Sequence, residues 1–153
     1  SLSKKANFKL DYGSIRENLK AQGIIKPTLR EVIKVISEIR NSKLPNPHVL
    51  PNAGSFFKNP EISQTAFKRL QKKYPNIPSF PAGKKIKVPA GWLIEQAGFK
   101  GKRFGKVRMY EKQALILVNQ GGTAKQILAL VALVQKTVKK KFGLDLQAEV
   151  NII

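Results

Sequence analysis

From Thr123 to Phe142 the chain has little choice but to form a helix, and a helix of that pattern obliges the rest of the sequence to supply a core. Thr123 stands where a side-chain oxygen can cap free amides, Gln126 fills the third position of a capping box, and Ile127, Leu128, Val131, Val134 and Val138 recur at helical spacing. Lys136 and Lys139 to Lys141 crowd its last turns, where the negative end of the helix dipole favours cations, and Gly143 ends it. Such a stripe of branched side chains is stable only against other apolar surface. A chain of 153 residues, 42% hydrophobic and 25% charged, carries enough of it for one packed domain.

Other segments supply the partners. Thr28 and Glu31 repeat the capping-box spacing ahead of Leu29, Val32, Ile33, Ile36 and Ile39, which predicts a helix from Thr28 to Arg40 stopped by Pro45 and Pro47. Ser63 caps a third helix to Tyr74 with Ala66, Phe67 and Leu70 inward, and Ala90 to Ala97 forms a short fourth, closed by Gly98, with Trp92, Leu93 and Ile94 as its buried face. Alternating or apolar runs at Asn7–Tyr12, Lys85–Val88, Val107–Tyr110, Ala114–Val118 and Leu144–Ile152 predict strands, Ala114–Val118 central. Residues 41–60 read as a long irregular segment. The expectation is an α+β fold: a mostly antiparallel sheet packed with three to four helices.

Composition excludes several functions. There is no cysteine and a single histidine, His48, so disulfides, thiolate metal sites and multi-histidine metal sites are ruled out. No apolar run approaches the roughly 18 residues that span a bilayer, and a cytoplasmic monomer without membrane contact is expected. The absence of an initiator methionine, with Met109 the sole methionine, fits a processed protein or a piece of a longer one. A net charge of +20, from 29 Lys and Arg against 9 Asp and Glu, points to an anionic partner. Its cations are scattered through Lys72–Lys73, Lys84–Lys85, Lys100–Arg103 and Lys139–Lys141, and no nucleic-acid module is recognisable, so a basic nucleic-acid-binding module stands as the alternative function.

Residues 53–60, Ala-Gly-Ser-Phe-Phe-Lys-Asn-Pro, are the segment richest in site chemistry. Gly54 allows close backbone approach, and Ser55 offers a donor, an acceptor and, in a dry site, a transferable proton. On the residues alone, a structural turn with core phenylalanines is the better account of the segment.

Matching blocks on both sides change that. Lys43-Leu44-Pro45, Asn52 to Pro60, Ala90 to Gly101, Gln113-Ala114-Leu115 ending at Asn119, and Phe142-Gly143 followed by Glu149-Val150 resemble, in order and spacing, the C-terminal part of UDP-N-acetylenolpyruvoylglucosamine reductases, flavoenzymes of bacterial peptidoglycan and cell-wall synthesis. The resemblance implies a substrate-binding domain at 45–145, a C-terminal strand at 146–153 carrying a catalytic acid, and a remnant at 1–44 joining a missing N-terminal FAD-binding half. It further implies reduction of UDP-N-acetylglucosamine enolpyruvate to UDP-N-acetylmuramate, with FAD and NADPH used by the full-length enzyme. Neither cofactor is expected on this piece, which alone would be inactive.

Residue by residue, Ser55 matches the proton donor and Glu149 the acid that steadies the enolate-like intermediate; the family's arginine has no counterpart here. Glu149 serves that role only when protonated, since a carboxylate would repel the developing anion. Lys43, Asn59, Lys100 and Gln113 match substrate contacts, two cations and two amides suited to a diphosphate and its sugars. Phe80 stands where some members have tyrosine and Asn151 where some have arginine. No residue matches a metal ligand.

Overall fold

Thr28 and Thr123 both do what their spacing predicts. A computed structural model describes residues 7–11 and 14–151, and the chain divides into two compact units, Ser1–Leu44 and Pro45–Ile153.

The first unit is a pair of helices, α1 (Ile15–Ala21) and α2 (Leu29–Lys43). At the start of α2 the Glu31 amide donates to Thr28 Oγ1 at 3.4 Å and the Thr28 amide donates to Glu31 Oε2 at 2.7 Å. The helix runs past Arg40 to Lys43 and stops because Leu44, preceding Pro45, is extended at φ −105° and ψ 140°. Ile15 and Leu19 of α1 pack on Val35, with Leu10, Ile24 and Ile39 around them. Sequence reasoning missed α1, a short helix whose Ser14 makes no side-chain cap. The stripe predicted for α2 divides: Val32 is buried, whereas Leu29, Ile33 and Ile36 are exposed, and Val35, outside the predicted stripe, is fully buried. The strand predicted for Asn7–Tyr12 does not form over residues 7–11, which are loop and turn; alternation alone makes no strand without a ladder partner. Tyr12 and Gly13 of that segment, like Ile152 of the last predicted strand, lie outside the described residues.

The second unit holds two antiparallel sheets and three helices. One sheet has the order β1-β7-β6-β5, from β1 (Asn52–Ser55), β5 (Arg103–Phe104), β6 (Val107–Met109) and β7 (Ile116–Asn119). The other has the order β2-β4-β3, from β2 (Glu61–Ser63), β3 (Phe80–Ala82) and β4 (Lys85–Lys87). The helices are α3 (Gln64–Lys73), α4 (Ala90–Gln96) and α5 (Ala124–Phe142). The architecture is α+β with antiparallel sheets, as expected, with five helices among the described residues rather than three or four. The segment expected to be irregular contains β1, whose Asn-Ala-Gly-Ser sequence carries no strand signal and is held by pairing with β7. Gly54, at φ +73°, lies where the register slips between Asn52 opposite Val118 and Ser55 opposite Ile116, so the left-handed glycine makes the bulge.

The core is built on α5. Leu130, Val131, Val134, Val138 and Phe142 pack with Val107, Met109 and Leu117 of the first sheet, Leu93 and Ile94 of α4, and Phe57. Leu130 takes the place predicted for Leu128, which is 45% exposed. Tyr74, Trp92 and Phe142 close one end, their ring centroids 5.0–6.1 Å apart. Over residues 144–151 the chain makes one bridge, Ala148 with Phe57, instead of the longer strand its alternation predicts.

Two outcomes follow from the caps. Thr123→Ala, which removes the acceptor of the Gln126 amide, should lower the urea-unfolding free energy by about 1 kcal/mol without changing the denaturant slope; an unaltered midpoint would show that the cap contributes nothing. The Glu31 carboxyl is held below its ordinary value of 4.5, first by the Thr28 amide and then by the Thr28 hydroxyl. A depressed folded value means that the stabilisation is present above the ordinary value and lost as pH falls through the lowered one. Carbon-detected NMR titration should place the Glu31 midpoint below 4.5, and Thr28→Val should move it only part of the way back, because the amide remains.

Candidate functional site

Ser55 is exposed at the end of β1, opposite Ile116 of the central strand β7. Because side chains alternate along a strand, Ile116 lies on the face opposite Leu117, and Leu117 belongs to the core under α5. Ser55, in register with Ile116, therefore lies on the sheet face turned away from α5. The two residues after it are anchored on the core side. Phe56 and Phe57 are buried and meet edge to face, with centroids 5.2 Å apart at 62°.

The backbone of this segment is tied on both sides. The Phe56 amide donates to the Leu115 carbonyl at 2.9 Å, and the Phe56 carbonyl accepts from the Glu149 amide at 2.8 Å. One pleat on, the Lys58 amide donates to the Gln147 carbonyl at 2.9 Å. Ser55 and Glu149, 94 positions apart by their numbers in the chain, are thus brought next to one another by the hydrogen bonds of a single intervening residue. Glu149 is exposed and takes part in none of the ion pairs among the described residues.

Asn59 and Gln113 both lie at the start of α4. Asn59 Oδ1 accepts from the Ala90 amide at 2.8 Å, satisfying one of the free amides of a helix whose N-cap, Pro89, offers no side-chain bond. Gln113 Oε1 accepts from the Leu115 amide at 3.4 Å and lies 3.0 Å from where a Cβ on Gly91 would stand. Both amide oxygens are occupied internally, and that fixes which end of each side chain is the nitrogen. Among the described residues the N–H groups of both side chains remain free to donate, beside oxygens that each keep a second lone pair. Leu115 joins the two groups: its carbonyl holds Phe56 and its amide holds Gln113.

Lys100 lies beyond the other end of α4, its ammonium 2.8 Å from Glu95 Oε1. Both side chains are exposed, so the pair is screened and readily exchanged for a stronger anion. Glu95 was not singled out from sequence, although its place five residues before Lys100, with Gly98 turning the chain between them, is the signal. Lys43 is the last residue of α2, in the first unit. Phe80, at the tyrosine position, is 56% exposed on β3.

Beside Asn59 opens a cleft of about 490 Å³ whose lining includes Lys58, Glu61, Lys85, Asp145 and Gln147. Glu61 pairs with Lys87 at 3.2 Å and Asp145 with Lys139, which leaves the Lys58 and Lys85 ammonium groups outside the ion pairs of the described residues. Sequence reasoning passed over both lysines as surface. Only the position of Lys58 between Phe57 and Asn59 marked it.

Comparison with known proteins identifies the family. Residues 46–153 match a family model described as "UDP-N-acetylenolpyruvoylglucosamine reductase, C-terminal domain". The chain is 45% identical over 153 residues to the UDP-N-acetylenolpyruvoylglucosamine reductase of Pseudomonas aeruginosa, covering 99% of this chain and 45% of that protein. It is 48% identical to the one from Flavobacterium johnsoniae, covering 97% of this chain and 45% of the relative. The Porphyromonas gingivalis reductase is likewise 48% identical, over 97% of this chain and 44% of its own length. The chain spans a little under half the length of these relatives. With most of its length accounted for in this way, the chain belongs to the UDP-N-acetylenolpyruvoylglucosamine reductase family, with residues 46–153 as the C-terminal domain.

Proposed function

We propose that this chain is the substrate-binding part of an oxidoreductase that converts UDP-N-acetylglucosamine enolpyruvate to UDP-N-acetylmuramate for peptidoglycan, acting in the cytoplasm as a monomer. The observation that carries the reading is the exposed Ser55, whose next residue, Phe56, accepts a backbone hydrogen bond from Glu149. FAD, when bound by the part of the relatives that this chain does not span, supplies the hydride, and NADPH supplies its electrons.

What this chain's residues do follows from that division. Hydride addition to the enolpyruvyl double bond leaves an electron pair on the adjacent carbon, shared with the substrate carboxylate as an enolate. The Ser55 hydroxyl passes its proton to that carbon; serine is a weak acid, but an enolate is a strongly basic acceptor and a dry site favours the transfer. Glu149, brought beside this segment by the Phe56 backbone, steadies the enolate-like intermediate. The free N–H groups of Asn59 and Gln113 bind acceptor atoms of the UDP-sugar, and Lys100 exchanges Glu95 for diphosphate oxygens. Lys43 is assigned to the substrate by its place in the Lys43-Leu44-Pro45 motif. A nucleic-acid-binding role, open from net charge alone, gains nothing from family membership.

In the full-length enzyme, Ser55→Ala should leave flavin reduction by NADPH unchanged and slow reoxidation by the enolpyruvyl substrate about 10²–10⁴-fold in stopped-flow measurements. Unchanged rates in both half-reactions would remove Ser55 from the proton transfer. The two amides can be separated in this chain by calorimetric titration with UDP. Gln113→Glu keeps the oxygen that Leu115 uses but replaces the donor, so affinity should fall about tenfold with the melting temperature little changed. Asn59→Ala, which also strips the Ala90 amide of its acceptor, should lower both affinity and melting temperature.

A further inference from the structure

Glycine is a poor residue inside a helix, because it gives up more backbone freedom than alanine and packs no side chain. Gly91 stands in the first turn of α4, and its backbone is not left-handed, so no unusual dihedral demands it there. Close approach does. A Cβ on Gly91 would lie 3.0 Å from Gln113 Oε1, 3.6 Å from Leu115 Cβ and 3.8 Å from the Leu115 nitrogen. The same Gln113 oxygen accepts from the Leu115 amide at 3.4 Å. The bare first turn of α4 and the Leu115 amide therefore bound the carboxamide oxygen together, and the planar amide group then fixes where its N–H end lies.

A side chain at position 91 would have to be absorbed by one of these neighbours, and two of them are held. Ala90, Leu93 and Ile94 are fully buried, and Trp92 packs on Phe142 at 5.9 Å and on Tyr74 at 6.1 Å, so α4 cannot turn or retreat without disturbing the core. Leu115 is tied through its carbonyl to the Phe56 amide at 2.9 Å. The Gln113 side chain makes no other hydrogen bond among the described residues, so it is the part that would move. We propose that Gly91 is a positioning residue for substrate binding: the space it leaves lets Gln113 seat its oxygen on the Leu115 amide and so aim its N–H at an acceptor atom of the UDP-sugar. The proposal deepens, and rests on, the reading of Gln113 as a substrate contact.

Gly91→Ala tests it, because a gain in helix propensity and a loss in binding are expected from the same change. The melting temperature of the chain should stay level or rise, while affinity for UDP in calorimetric titration should fall about three- to tenfold. Nitrogen-detected NMR of the unliganded protein should show the Gln113 side-chain amide, identified by its loss in Gln113→Ala, and the Leu115 backbone amide both shifted. In the Gln113→Ala background, adding Gly91→Ala should cost no further affinity, since no carboxamide is left to displace. Unmoved resonances, a lower melting temperature, or an equal further loss in that background would each overturn the proposal. A parent chain that fails to bind UDP would instead remove the reading of Gln113 as a substrate contact, and the NMR shifts would still decide whether Gly91 positions that side chain.

Discussion

The two-sided hydrogen bonding of Phe56 is the constraint on which the second unit turns. One peptide joins β1 to Leu115 through its amide and to the chain end through its carbonyl, so residues separated by most of the sequence meet across it. The ring of the same residue is buried beside Phe57 in the core under α5. Backbone and side chain thus have different tasks: the ring fixes depth, and the hydrogen bonds fix lateral neighbours. A reactive hydroxyl gains from this arrangement, because groups carried on strands whose flanking residues are locked move less than groups on free loops. That Ser55 is exposed while Phe56 is buried follows from the alternation of the strand.

Helices were far more legible in the sequence than strands, for a physical reason. Thr28, Ser63 and Thr123 signal through contacts three residues away, and those contacts form whatever the rest of the chain does. Asn52–Ser55 is a strand only because β7 lies beside it, and no local pattern encodes a partner so far along the chain. The short strands Glu61–Ser63, Phe80–Ala82 and Arg103–Phe104 escaped notice likewise. Periodicity also misplaced single residues: Leu128 and Leu130 both fit an apolar helix, and which one points inward depends on where the sheet lies. The apolar positions of α2 form one broad arc, and spacing does not say which end of it is covered: Val32 is buried, Leu29 and Ile33 are not.

The candidate site was legible only by resemblance. Taken singly, Ser55 is a polar residue beside a glycine and Glu149 an outward carboxylate, and neither type nor spacing joins them. The structure adds what a motif cannot: the atoms of Asn59 and Gln113 that remain free after the fold has used the others. It also shows that Lys100 has an acidic partner, Glu95, so its positive charge is not simply waiting for a ligand. The excess of cations needs no further partner to be tolerated, since most lie on exposed faces where salt screens them.

Asn59 carries one further consequence. Its oxygen holds the first turn of α4 while its nitrogen is left for whatever enters the site. On the proposed reading a replacement at this position is judged twice over, once by the fold and once by the ligand, and no exchange of side chain can alter one without touching the other. Under mutation and selection such a position drifts least where both demands are strong. Asparagine is suited to it because a short side chain carries an acceptor and a donor on the same carbon, pointing in different directions.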